Sequence, residues 1–332
     1  MSHNATSASL TTPLLGIRDL RKTYRLPHGQ MLKAVDGVSL GVMAGEMLGL
    51  VGESGCGKST LGRCMLRLTD ISSGQVSFEG RDITRLRESA LRPLRPRMQM
   101  VFQDSHASLN PRRRIGDILA EPLHVHPDAT GRRRPAARIH DRLRELMDLV
   151  GLPVTALERY AHEFSGGQRQ RINIARALAL SPRLVVADEP VSALDVSIQA
   201  QIVNLFADLR DQLGLTYVFV AHDLAVVRQI SNRVAVMYLG VIVELGETDS
   251  VLHHPAHPYT AALTAAVPRP VVGADRASAL RGDVPSPVTH QTGCRFHTRC
   301  VYAQNRCRVE EPALRPIRAG HEAACHFPLA GD

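Results

Sequence analysis

The chain has no tryptophan, and aromatic residues make up only 4% of it. Stacking platforms for bases are therefore scarce. That weighs against a nucleic-acid binder, even at a net charge of +8. Nowhere do about 18 apolar residues run together, so no segment has the pattern of a membrane-spanning helix. Met1 to Pro13 is polar and rich in Ser and Thr, without the charged-then-apolar pattern of a leader. Residues 1–13 are expected to be disordered and the protein to stay in the cytosol. Cysteine is sparse, with six residues in two sets. Cys56 and Cys64 lie early; Cys294, Cys300, Cys307 and Cys325 lie together near the end. A reducing compartment disfavours disulfides, so the late set points to metal.

The 332 residues, 44% hydrophobic, leave room for one large domain plus an appendage, or for two domains. Arginine supplies most of the positive charge, with dense spots at Arg112-Arg113-Arg114 and Arg132-Arg133-Arg134. Such short runs read as solvated faces or contacts to an anionic partner. No internal repeat is present.

Residues 46–66 organise the rest. Met47 to Val51 is an apolar run that reads as a buried strand. Gly52-Glu53-Ser54-Gly55-Cys56-Gly57-Lys58-Ser59 fits G-x-x-x-x-G-K-[ST] at every fixed position, and Thr60 onward has helical spacing. Glycines let backbone N–H groups curl around a phosphate chain without Cβ clashes. The helix start adds the positive end of its dipole. Lys58 supplies a mobile cation for the phosphates and Ser59 a hydroxyl for Mg²⁺.

Around this loop the chain alternates strands and helices. Leu14–Tyr24 and Lys33–Val42 read as strands, as do residues 75–79, 97–103, 183–187, 216–221, 234–239 and 241–245. Ile139, Leu143, Leu146, Met147 and Val150 mark a helix that Gly151-Leu152-Pro153 stops. Ser165 is a natural N-cap, and Gly166 and Gly167 leave bare amides at a helix start, a second anion site. Asp188-Glu189 ends an apolar strand, and His222-Asp223 ends another. After Glu247 the composition shifts, and Pro268, Pro270, Pro285 and Pro287 mark a linker before the cysteines.

These motifs, in this order, resemble the nucleotide-binding subunits of ABC transporters. The carriers are the phosphate loop, Gln103, Ser165-Gly166-Gly167-Gln168, the strand 184–189, Ser192 to Asp195, and His222. Phe164 stands where leucine is commoner in the family. Ser108 to Arg113, His257-Pro258-Tyr259-Thr260 and the terminal cysteines narrow the likeness to the dipeptide/oligopeptide importer branch. Within it, the chain is most similar to the F-type ATPase subunits of dipeptide permeases, over roughly residues 14–328.

The resemblance implies an α/β fold. A P-loop core combines a RecA-like mixed sheet with an antiparallel β subdomain over residues 14–246. A helical subdomain is inserted at about 104–180, and a small cysteine-containing extension covers 247–332. It further implies an ATPase with ATP and Mg²⁺ as cofactors. Gly52, Ser54, Gly55, Cys56, Gly57, Lys58, Ser59 and Thr60 would cradle the phosphates. Ser59 and Gln103 would hold Mg²⁺, with Asp188 one shell out. Glu189 would be the general base, His222 the γ-phosphate sensor, and Tyr24 the adenine platform. Ser165, Gly166, Gly167 and Gln168 would reach the nucleotide of an opposite subunit, and Asp195 would help bridge that dimer. The implied partners are two membrane-spanning permease subunits, a second, D-type ATPase subunit and an extracytoplasmic substrate-binding protein, with no nucleic acid. The implied location is peripheral, on the cytoplasmic face of the inner membrane.

The terminal cysteines run Cys294-x5-Cys300-x6-Cys307-x17-Cys325. Two chemistries suit four thiolates, tetrahedral zinc or an iron–sulfur cluster. No C-x2-4-C knuckle of the usual zinc kind is present. The branch resemblance implies a [4Fe–4S] cluster, with zinc or plain buried thiols as alternatives. His297, His321 and His326 nearby read as surface residues. The resemblance implies an ATPase that energises uptake of dipeptides or oligopeptides, with nickel or glutathione as alternative cargo, and two other functions are weighed. Soluble ABC ATPases acting on nucleic acid or ribosomes carry two cores or long coiled coils, which are lacking here. A redox sensor would rest on the cysteines alone.

Overall fold

The computed structural model describes residues 12–104, 108–128, 130–266, 285 and 292–329. The expectation of disorder for residues 1–13 falls almost wholly outside these, as do Pro268, Pro270 and Pro287 of the expected linker.

The chain opens on an antiparallel pair, β1 (Leu15–Arg25) and β2 (Met31–Val42). Strand β3 (Met47–Val51) follows and runs through the phosphate loop into α1 (Lys58–Met65). Then come β4 (Ser73–Phe78), β5 (Arg81–Asp82), the single turn α2 (Glu88–Leu91) and β6 (Met98–Val101). Helices α3 (Ile115–Val125), α4 (Ala136–Leu149) and α5 (Gly166–Leu178) form the helical stretch. The core returns with β7 (Leu184–Asp188), α6 (Val196–Leu213), β8 (Thr216–Val220), α7 (Leu224–Ile230), β9 (Arg233–Tyr238) and β10 (Val241–Glu247). Helices α8 (Thr248–His253), α9 (Pro258–Ala265) and α10 (Asn305–Val309) and the strands β11 (Arg315–Arg318) and β12 (His321–Ala323) complete it.

One sheet has the order β2-β1-β4-β5; the other, of eight strands, runs β11-β12-β10-β9-β3-β8-β7-β6. Strands β6, β7, β8, β3 and β9 are parallel, and the remainder of the large sheet is antiparallel. Alternation along the buried strands divides two cores. Leu48, Leu50, Leu184, Val186, Val218 and Val220 face Leu15, Leu20, Val35 and Val38 of the antiparallel sheet. Met47, Val51, Val185, Ala187, Tyr217 and Phe219 face the helices, among them Ile139, Leu143, Leu146 and Met147 of α4. Strands this buried on both faces read as continuous apolar runs, because helices or a second sheet cover each side.

The region after Glu247 is not a separate core. Strand β12 pairs antiparallel with β10, Glu244 opposite Ala323. Phe296 is buried in the helix-side core, and Cys294 and Cys300 pack against it. His321, expected at the surface, is fully buried: its Nε2 lies 2.7 Å from Glu244 Oε1, itself fully buried, and its Nδ1 lies 3.0 Å from Ser250 Oγ. Burying one polar ring against one carboxylate satisfies both, so neither needs the surface. No helix among the described residues is long and apolar enough to cross a membrane.

Candidate functional site

The parallel pairing brings the sequence candidates to one edge of the sheet. Leu50 of β3 lies opposite Val220 of β8, Asp188 of β7 opposite that same Val220, and Val101 of β6 opposite Ala187. The residues following these strands therefore emerge side by side: the loop 52–57, Gln103, Glu189 and His222. Ligands of open α/β sheets bind at this carboxyl edge.

The loop needs glycine at two close approaches. A Cβ on Gly52 would come within 2.1 Å of the Met237 carbonyl, and one on Gly57, whose φ is 108°, within 2.0 Å of the Ala34 carbonyl. Ser54 and Gly55 form the exposed tip, while Cys56 is buried and Ser59 and Thr60 half-buried. Lys58 is buried, and its Nζ donates to the carbonyls of Gly52 at 2.8 Å and Glu53 at 3.0 Å. Its ammonium thus rests on the loop it serves. Burial pushes the Cys56 thiol up, against the pull of Lys58.

Ser59 donates from Oγ to Asp188 Oδ1 at 2.7 Å. Burial raises the Asp188 carboxyl above its ordinary value, opposed by the Ser59 bond and by Arg63 and Lys58. A buried carboxylate bonded to a hydroxyl at the end of a phosphate loop has the donor chemistry that suits Mg²⁺. Glu189 is half-buried, with φ of +44°, a left-handed conformation that side chains rarely adopt. Its N–H donates to the Val220 carbonyl at 3.0 Å, and its own carbonyl accepts from Ser192 Oγ at 3.1 Å. Its Oε2 accepts from Gln103 Nε2 at 2.6 Å. Strain held by several bonds at one carboxylate is a mark of function. His222 is exposed beside it.

Ser165 caps α5 in a capping box, its Oγ accepting from the Gln168 N–H at 3.3 Å while Gln168 Oε1 accepts from the Ser165 N–H at 3.0 Å. Gly167 is packed so closely that a Cβ would meet Ile198 Cγ2 at 2.5 Å. Among the described residues Ser165 and Gln168 bond each other and not the 52–59 loop. Asp195 stands exposed at the N-cap of α6, without a side-chain cap bond. Tyr24 is half-buried on β1, with Lys22 Nζ 4.7 Å from its ring centroid.

Two residues escaped the sequence reading. Tyr259 Oη accepts from the Glu53 N–H at 2.9 Å, and Arg299 Nη1 and Nη2 bond both carboxylate oxygens of Glu53, at 2.7 and 3.1 Å. They lie 206 and 246 residues away along the chain. Their sequence signal was only the His257-Pro258-Tyr259 segment, which had no site attached to it.

Cys294, Cys300, Cys307 and Cys325 line one small cavity with Phe296, Tyr302, Phe327 and His257. Burial pushes the Cys294 thiol up to about 11, with the other three thiols adding to the rise, and it raises Cys300 and Cys325 as well. The backbone amides two residues on, at Phe296, Tyr302 and Phe327, pull the three thiols the other way. Even so, among the described residues no group of three or more His, Cys, Asp or Glu is drawn together as the ligands of a metal ion. A larger cleft of about 520 Å³, between β2, β10 and the extension, adjoins the cysteine cavity and shares His257, Cys294 and Phe296 with it; of the candidate residues it includes only Cys294.

The comparisons with known proteins agree with this geometry. Residues 35–192 match the ABC transporter family model, and residues 243–307 match the oligopeptide/dipeptide transporter C-terminal region. The chain is 50% identical to a putative peptide import ATP-binding protein of Brucella ovis, over 95% of this chain and 98% of that one. It is 48% identical to the oligopeptide transport ATP-binding protein AppF of Bacillus subtilis, over 95% and 97%. Among solved structures, a dimeric ATP-binding cassette, MJ0796, bound to ADP and Pi after hydrolysis superposes with a TM-score of 0.64 at 27% identity, covering 70% of this chain and 98% of that one. The cbiO1 protein of Clostridium perfringens, part of an ABC transporter complex, gives 0.63 at 25% identity, covering 72% and 90%.

Proposed function

The chain belongs to the ATP-binding proteins of ABC transporters, in the branch that carries the oligopeptide/dipeptide C-terminal region, and on that premise we propose that it binds and hydrolyses ATP to drive peptide import. The observation that carries the reading is the strand-end constellation. Lys58 and Ser59, Asp188 and Glu189, Gln103 and His222 follow adjacent parallel strands at one edge of the sheet.

Phosphoryl transfer asks a protein mainly for positioning and charge neutralisation. The 52–59 amides other than that of Glu53, together with Lys58, hold the phosphate chain. Lys58 leaves the Gly52 and Glu53 carbonyls to do so. Ser59 and Gln103 would hold Mg²⁺, with Asp188 bonded behind Ser59, and the metal would supply charge neutralisation. Glu189 takes the proton of the attacking water, His222 meets the γ-phosphate, and Tyr24 stacks on the adenine.

Ser165, Gly166, Gly167 and Gln168 serve a nucleotide on a second ATPase subunit. Ser165 and Gln168 are exposed at a helix start and turned to each other rather than to their own loop, which supports that role. Asp195, exposed at the N-cap of α6, bridges the pair. The second subunit is a D-type relative, and both dock on two permease subunits at the cytoplasmic face of the membrane, supplied by an external substrate-binding protein. The isolated subunit is then a poor ATPase.

The four terminal cysteines hold a [4Fe–4S] cluster that staples the extension. Four thiols lining one cavity suit thiolate ligation.

The test is reconstitution of the subunit with its partner ATPase and permease pair in vesicles. Peptide-loaded binding protein is expected to raise ATP hydrolysis and drive peptide uptake. ATPase activity indifferent to peptide, with no uptake, would remove peptide as the cargo.

A further inference from the structure

Glu53, the second residue of the phosphate loop, has every polar group engaged. Its carbonyl accepts from Lys58 Nζ at 3.0 Å and from the Cys56 N–H at 3.3 Å, contacts internal to the loop. Its N–H and its carboxylate are taken by the C-terminal extension. Tyr259 Oη accepts the N–H at 2.9 Å, and Arg299 closes a two-pronged bond on both carboxylate oxygens.

The two holding groups are themselves fixed. The Arg299 side chain is only 5% exposed, and its guanidinium lies 6.0 Å from the Tyr238 ring centroid. Its N–H donates to the Phe296 carbonyl at 3.0 Å. Tyr238, Tyr259 and Phe296 pack ring on ring, with centroids 4.6 to 5.4 Å apart. Tyr259 stands in the first turn of α9, whose N-cap His257 takes the Tyr259 N–H through Nδ1 at 3.1 Å. A planar guanidinium on a carboxylate is directional as well as strong, and here both partners are largely removed from water.

We propose that the extension positions the phosphate loop: Arg299 and Tyr259 hold Glu53 from its side chain and its backbone, and so set the affinity for nucleotide. Glycine-rich loops are entropically costly to order. The loop's tip, Ser54 and Gly55, is exposed and makes no close packing: a Cβ on Gly55 would meet nothing within 4 Å. Anchoring the residue just before that tip prepares the amides for the phosphates, so less binding energy goes into ordering them. Neither residue touches the nucleotide in this scheme; both act through Glu53. Arg299 directly precedes Cys300, so whatever occupies the cysteine site is one residue from the anchor.

The inference rests on the nucleotide-site reading above, and the experiment separates the two. Binding of a fluorescent ATP analogue with Mg²⁺ is measured on the full chain and on Arg299→Lys, Glu53→Gln and Tyr259→Phe. Loss of a bond to a charged group predicts a roughly tenfold higher Kd for the first two, and loss of one neutral bond an about threefold higher Kd for Tyr259→Phe. Because Arg299 and Glu53 act as one unit, the double variant should bind no worse than either single one. Thermal unfolding checks that each variant is folded at the binding temperature. In the assembled transporter the KM for ATP should rise with kcat unchanged, a split that a loss of folded protein does not produce. Parent-like Kd in all three variants, or effects that multiply in the double variant, would overturn the anchor while leaving the nucleotide site standing. A parent chain that binds no nucleotide would overturn both.

Discussion

Gln103 donates from Nε2 to Glu189 Oε2 at 2.6 Å, joining the residue assigned to Mg²⁺ with the residue assigned as base. In the proposed role Gln103 would turn its carbonyl oxygen to the metal, and breaking this bond would free Glu189 for water. Gln103→Ala is therefore expected to weaken the response of ATP hydrolysis to Mg²⁺ and to lower activity roughly 10- to 100-fold, as loss of a supporting metal contact does. A magnesium titration of the assembled complex checks this. An unaltered titration curve would take Gln103 out of the metal site.

Lys58 is held by two loop carbonyls, and among the described residues it forms no salt bridge. Its transfer to the phosphates therefore separates no ion pair. Lys58→Ala should weaken nucleotide binding itself, roughly 10- to 100-fold, the worth of a bond between charged groups. Equilibrium binding of a nucleotide analogue measures it. Near-normal affinity with lost turnover would move Lys58 from binding to chemistry.

Asp36 ties the antiparallel sheet to the extension. Its carboxylate meets Arg295 at 2.5 Å and Lys33 at 3.4 Å, and it also pairs with Arg21. Burial alone would raise this carboxyl, but the bond and charge of Arg295, with Lys33 and Arg21, outweigh it and hold it below the ordinary value. A depressed carboxyl adds stability that is fully present above its unfolded pKa, about 3.9, and is lost as pH falls through the folded value. Asp36→Asn should cost about 2 kcal/mol near neutral pH, the worth of a bond between charged groups, and should flatten the loss of stability below about pH 4. Urea unfolding at several pH values reads both. An unchanged acid slope would show that Asp36 does not carry it.

The cysteine site makes a compositional prediction. Purified without oxygen, the protein should carry iron and sulfide and absorb visible light. Stoichiometric zinc without iron would replace the cluster by zinc. No metal at all, with the extension still folded, would remove the need for a staple. Cys300→Ser should loosen the extension and, through the adjacent Arg299, also weaken nucleotide binding.

The core strands were legible because burial on both faces leaves continuous apolar runs, as in Leu184–Asp188 and Thr216–Val220. The residues that gather at the carboxyl edge of the sheet were legible because they end or closely follow their strands, so sequence order and spatial edge coincide. The Ser165 cap was legible from one residue type and its spacing to Gln168. The extension was not. Strand β12 is three residues long, too short for a period to show, and its partner β10 lies 77 residues away along the chain at His321 and Glu244. A nucleotide site read as residues 24–222 accordingly left out Tyr259 and Arg299, whose contacts with Glu53 depend on that docking.

The central claim, that Glu189 activates water for hydrolysis of ATP at a site completed by a second subunit, has one direct measurement. ATP binding and hydrolysis are compared for the parent and Glu189→Gln in the assembled complex. The amide keeps the shape and cannot take a proton, so binding should be retained while hydrolysis falls by at least about 100-fold. Hydrolysis by Glu189→Gln at a rate close to the parent would contradict the account.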